Sequence, residues 1–129
     1  MKSIGRFEDL EIWQLARNLN KSIYQVIHTT QLKNDLILRN QLERSAGSVM
    51  DNIAEGFERE GNKELIHFLS IAKGSCGELR SQLYRVRDRG YIQEGEFMAM
   101  DELSLIEIKR IHSFMGYLKK TSLKGSKFK

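Results

Sequence analysis

The stretch KELIHFLSIAKGSCGELRSQLYRVRDR, residues 63–89, decides the fold. Leu65, Ala72, Leu79 and Val86 recur every seven residues, and Leu69, Cys76 and Leu83 do the same, offset by four. Apolar residues at steps of three and four share one face of a helix, because a helix turns once in about 3.6 residues. An a/d seam sustained for over three heptads marks a helix packed lengthwise against other helices. Arg87 and Arg89 in its last turn complement the helix dipole, and Gly90 supplies the stop.

Three further stretches carry the same period. The first spans about residues 8–30, with Ile12, Leu15, Ala16, Leu19, Ile23 and Val26 on its apolar face. The linker Gln31-Leu32-Lys33-Asn34 follows, and Asn34 or Asp35 is placed to cap the next helix. That helix spans about 36–60, with Leu38, Leu42, Val49 and Ile53 on one stripe. Gly61 is expected to end it in a left-handed conformation, and Asn62 to cap the helix over 63–89. The fourth spans about 94–119, with Ile108, Ile111, Met115 and Leu118 as its apolar face and Lys119 and Lys120 in its last turn. Each helix is about 25 residues, roughly 37 Å at 1.5 Å per residue. Equal lengths and short connections imply antiparallel neighbours. The expected fold is all-α, an antiparallel up-down-up-down four-helix bundle over residues 1–118.

Composition sets the limits. The chain has 129 residues, enough for one domain, and no proline to break a helix. Charged residues are 29% and hydrophobic residues 40%, which excludes membrane-protein and disordered classes. No apolar run suits a signal peptide or a membrane span, and the single Cys76 excludes a disulfide framework, so a cytoplasmic protein is expected. The net charge of +4 is uneven. Lys119, Lys120, Lys124, Lys127 and Lys129 give residues 119–129 a charge of +5 with no acid, so residues 1–118 carry −1. Residues 119–129, rich in Lys, Ser and Gly, read as a flexible tail that attracts polyanions.

Several constellations of polar and small residues bear on chemistry. Ser45, Ser48, Asn52, Glu55 and Arg59 form one polar stripe on the second helix, and Ser75, Glu78 and Gln82 another on the third. No nucleophile–base pair accompanies them, so a hydrogen-bonded network between helices or subunits is preferred to an active site. Gly74 and Gly77 sit inside the third helix, where glycine costs about 1 kcal/mol relative to alanine. Close approach of a neighbouring helix, or of a partner subunit, is the expected compensation. A phosphate-cradling loop is rejected, since no strand precedes it and no Gly-Lys-Ser/Thr follows. Glu64-Leu65-Ile66-His67 matches half of a di-iron pattern, but His28 and His112 lack a glutamate three residues before them. Neither a metal nor another cofactor is expected. Cys76 lies in the a/d seam and reads as a small core residue.

On the outer face of the third helix, Lys73, Arg80 and Arg87 recur every seven residues, Tyr84 lies between the last two, and Arg85 and Arg89 flank it. Cations neutralise phosphates and an aromatic stacks a base, so this row is a candidate nucleic-acid surface, together with Lys119, Lys120 and Lys124. Asp88 is expected to neutralise it in part through Arg85.

Arg44-Ser45-Ala46-Gly47-Ser48-Val49, Asn52-Ile53-Ala54-Glu55-Gly56, Lys63-Glu64, Phe68-Leu69, Ile71-Ala72, Gly74-Ser75, Glu78-Leu79 and Gln82-Leu83 stand in unbroken order. With Phe7, Leu10, Trp13-Gln14 and Ala16, they make the chain resemble, over about residues 7–118, the four-helix-bundle family of 23S rRNA intervening-sequence proteins. The resemblance implies an up-and-down bundle that assembles as a ring-shaped homopentamer, and a non-enzymatic role is expected because the residues hold no assembled acid–base, nucleophile or metal set. It groups Arg44 and Gly56 with the polar network. A similar protein, the accessory variability determinant of diversity-generating retroelements, binds a reverse transcriptase and nucleic acid through basic surface. RNA, DNA or such an enzyme are therefore the implied partners beyond the chain itself. The alternative is a scaffold for protein–protein contact alone. The family pattern has Ile-Pro-Ser where this chain has Val49-Met50-Asp51, which removes a kink and adds a negative charge.

Overall fold

The computed structural model describes residues 5–125, with side chains through residue 121. Four helices follow in order: α1 Glu11–Thr29, α2 Leu36–Glu58, α3 Asn62–Asp88 and α4 Glu94–Gly125. Short 3₁₀ turns at Phe7–Asp9 and Gln31–Asn34 precede α1 and α2, and the described residues contain no strand.

Pairings between helices fix their directions. Ser45 and Ser48 of α2 meet Glu78 and Ser75 of α3, so residue numbers rise on one helix as they fall on the other. Lys73, Arg80 and Arg87 of α3 meet His112, Asp101 and Glu94 of α4 in the same descending order. Neighbouring helices are therefore antiparallel, as expected for the bundle.

The heptad seam of α3 is the spine of the core. Leu69, Ala72, Cys76, Leu79, Leu83 and Val86 are all fully buried. The core divides into two apolar clusters. One holds Ile12, Ala16, Val49, Ile53, Leu69 and Ile111; the other holds Ile23, Ile27, Leu38, Leu42, Leu83 and Phe97. Between Met100 in one cluster and Ile111 in the other, α4 places two buried polar residues, Ser104 and Glu107.

Helix ends depart from the sequence reading in instructive ways. Asp35 is the cap of α2, its carboxylate accepting from the Leu38 amide at 3.3 Å. The left-handed residue after α2 is Glu60, with φ 62°, and not Gly61, which is extended at φ −152°. Gly61 occupies the N-cap position of α3, and Asn62 is already helical. Asn62 is freed from capping by that shift and donates instead to the Leu118 carbonyl of α4 at 3.3 Å. Gly90, at φ 76°, does end α3 as expected. The expected flexible tail is helical through Gly125, and no proline interrupts α4. Lys124 lies in that extension, while Lys127 and Lys129 fall outside the described residues.

The glycines also differ from expectation. A Cβ at Gly74 or Gly77 would meet nothing within 4 Å, so no helix of this chain approaches there. The close approach is at Gly56, where a Cβ would stand 2.7 Å from the Phe68 Cβ of α3. Gly56 is what lets α2 and α3 touch near their shared loop.

Candidate nucleic-acid interface

The row Lys73, Arg80 and Arg87 is not a free outer face. It runs along the edge where α3 meets α4, and each cation has a partner there. Lys73 Nζ stands 3.2 Å from His112 Nδ1. Arg80 Nε donates to Asp101 Oδ1 at 2.8 Å, with side chains only 28% and 17% exposed. That bond holds the Arg80 guanidinium still more firmly in its charged form. Arg87 reaches Glu94 and Asp88 at 3.4 Å and lies over the Tyr84 and Phe97 rings at 5.1 and 4.4 Å. Asp88 thus neutralises Arg87 and not Arg85. Tyr84 packs edge-on against Phe97, with centroids 4.8 Å apart. Arg89 pairs with Asp35 at 2.7 Å. For Lys73, Arg80 and Arg87 the reason is the register of α4, and for Arg89 the position of the α2 cap, neither of which a reading of α3 alone contains.

The Asp35 carboxylate does three things. It caps α2, pairs with Arg89 and accepts from the Tyr91 hydroxyl at 2.8 Å. Bonds from Tyr91 and then Arg89 hold its pKa below the ordinary carboxylate value.

On its other flank α3 meets α2 through the polar network. Ser45 Oγ donates to Glu78 Oε1 at 3.0 Å, and the Ser48 and Ser75 hydroxyls share a bond of 2.8 Å. Asn52 Nδ2 donates to the Ser48 carbonyl and hydroxyl at 2.8 and 2.9 Å. Glu55 and Arg59 pair at 3.4 Å outside the serine network, and Arg59 lies over the Phe68 ring of α3 at 5.3 Å. Where the seam widens, Gln41, Arg44, Ser45, Glu78, Ser81, Gln82 and Arg85 line a cleft of about 290 Å³. Arg85 Nη2 donates to Gln41 Oε1 at 3.0 Å, a neutral partner that leaves its charge uncompensated. Gln82 is 5% exposed and its Oε1 has no hydrogen-bond partner. A buried acceptor left unpaired costs about 1–3 kcal/mol of stability. Two sets that the sequence kept apart, the network and Arg85, therefore meet at one cleft.

Lys119 and Lys120 are exposed on α4. The bond from Asn62 to the Leu118 carbonyl places Lys63 at the same end of the bundle.

Sequence reasoning missed Glu107. It is fully buried, neither carboxyl oxygen has a partner, and burial pushes its pKa up to about 8. A signal was present: Met100, Ser104, Glu107 and Ile111 follow at steps of four, three and four, the period of a core stripe. Cys76 beside it is pushed up to about 12, first by burial and then by Glu107. Its thiol donates to the Ser104 carbonyl at 3.4 Å, as befits a core residue. Among the described residues no cluster of three or more His, Cys, Asp or Glu is placed to hold a metal ion. No described helix is long and apolar enough to cross a membrane.

This arrangement can be compared with known proteins. The model of the 23S rRNA-intervening sequence protein family matches residues 8–113. The chain belongs to that family. A solved protein of unknown function from the S23 ribosomal protein family of Bacteroides thetaiotaomicron superposes with a TM-score of 0.73. It is 18% identical, and the match covers 81% of this chain and 97% of that one. At that identity the likeness carries the fold. No curated protein sequence matches the chain significantly. For the intervening-sequence family member described here, the α2–α3 seam joins its two most motif-rich helices.

Proposed function

We propose that this protein is a non-catalytic, cytoplasmic homo-oligomer that binds nucleic acid, or an enzyme acting on nucleic acid, through basic surface. The α2–α3 cleft is the observation that carries this reading. Arg44 has no partner among the described residues, and Arg85 is met only by a neutral amide. Two guanidiniums at one cleft suit a phosphate, since their planar forks match its oxygens. Glu78 beside them accepts from sugar or base donors. Lys119, Lys120 and Lys124 add non-specific attraction, and a ring would multiply both by the subunit number.

Titrating a labelled RNA at several salt concentrations tests the reading. Each engaged phosphate contributes about −0.7 to the log–log slope for a single strand. Arg44→Glu/Arg85→Glu lowers affinity about tenfold or more. An absence of measurable affinity at low salt sinks the proposal.

The scaffold reading retains one supporting observation. Gly74 and Gly77 leave an open, side-chain-free strip on α3, with nothing within 4 Å. A second copy can lie close against such a strip. Bulky substitution there abolishes assembly if this reading holds.

A further inference from the structure

Residues 12–34 contain no aspartate or glutamate, yet include Arg17, Lys21 and Lys33. They form most of α1 and the turn after it. Trp13, Arg17, Lys21, Tyr24 and His28 follow at steps of four, four, three and four, so they share one stripe. Tyr24 is 61% exposed, and its ring lies against that of His28 with centroids 4.1 Å apart. Arg17 lies over the Trp13 ring at 5.8 Å. Neither Arg17 nor Lys21 has a carboxylate within ion-pair distance among the described residues. Glu43 of α2 is the one acid that lines a groove of about 430 Å³ beside the stripe. Asn20 fixes that groove's floor, donating to the Ala46 carbonyl of α2 at 2.7 Å.

We propose that this α1 face is a contact surface for single-stranded RNA. The proposal rests on the nucleic-acid reading above and adds a second site to it. Arg17 and Lys21 lie one turn apart and meet successive phosphates. Tyr24 presents an aromatic face on which an unpaired base stacks, and stacking is indifferent to which base it is. A duplex offers no such base, because its rings are already stacked. Asn18 and Gln25 are exposed beside the stripe and carry amides that both donate to and accept from a ribose 2′-hydroxyl. That hydroxyl separates RNA from DNA. Charge commits the surface to a polyanion: an acid-free helix face offers nothing to a basic partner.

The test is fluorescence anisotropy of a labelled 12-nucleotide oligo(U) against the full chain at low salt, with far-ultraviolet circular dichroism as the folding control. Tyr24→Ala weakens binding about tenfold, while Tyr24→Phe, which keeps the ring, stays within about twofold of wild type. Arg17→Gln/Lys21→Gln weakens it about tenfold and flattens the salt slope by about 1.4, two phosphates' worth. Arg17→Lys/Lys21→Arg restores the slope. If these variants bind as wild type while Arg44→Glu/Arg85→Glu does not bind, the α1 proposal falls and the nucleic-acid reading stands. If wild type binds nothing, both fall. Equal affinity for the deoxy-oligomer, or for a duplex of the same length, overturns the assignment to single-stranded RNA.

Discussion

Along the α3–α4 edge, Lys73, Arg80 and Arg87 each face a partner on α4. Along α1, Arg17 and Lys21 have no carboxylate partner, although both rows place cations beside an exposed tyrosine. In isolation the two sequences look alike, and the α3 row looks richer. The difference lies in the opposite helix. α4 brings Asp101 and Glu94 into register with α3, whereas Glu43 of α2, which lines the groove beside α1, pairs with neither Arg17 nor Lys21. A count of basic residues on one helix therefore measures neither its free charge nor its readiness to bind an anion.

This contrast can be broken at its most extreme point. Glu107 sits in the same α3–α4 layer as the paired cations, but nothing neutralises it. Its folded pKa, about 8, is raised above the unfolded value near 4.5. The unfolded chain therefore releases this proton first, and stability falls as pH rises from about 4.5 to 8, then levels off. Glu107→Gln removes the ionisable group. It is expected to raise stability at pH 7 by about 3 kcal/mol relative to wild type and to flatten that part of the pH profile. Urea melts at pH 5, 7 and 8.5 read this directly. A wild-type profile with no slope in that window would mean that Glu107 finds a partner in solution.

The contrast is sharpened at Arg80. Arg80→Ala leaves Asp101 half-buried without its charge partner and is expected to cost about 2 kcal/mol. Arg17→Ala, on the open face, is expected to stay within about 0.5 kcal/mol of wild type. The Arg80→Ala/Asp101→Ala double mutant separates the pair's coupling from the loss of side-chain packing. Equal costs at Arg80 and Arg17 would erase the distinction between the two rows.

The bundle itself was legible, because α3 states its period over more than three heptads and Arg87 with Gly90 marked its end. The Ser45, Ser48 and Ser75 contacts were legible as a class, since polar residues flanking an apolar seam face a neighbour. Three things were not. Pairings of Arg80 and Arg89 depend on the register of helices distant in sequence. The open cleft at Gln82 depends on how far α2 and α3 stand apart, which Gly56 sets near the loop. Glu107 was hidden by its chemistry, for a carboxylate inside a core stripe reads as a surface residue until its neighbours are seen.

Asp35 has one further consequence. Its single carboxylate holds the start of α2, the end of α3 and the loop before α4. Because its folded pKa is depressed, these three tethers persist above the unfolded value and are lost together as pH falls through the folded one. Hydrogen exchange below pH 3.8 is therefore expected to report one concerted opening at this end, with Leu38, Arg89 and Tyr91 amides losing protection at a common pH. The Asn62 tether at the opposite end has no proton to gain, and its bond to the Leu118 carbonyl should persist through that step. Two tethers of one cooperative bundle would then be under different chemical control.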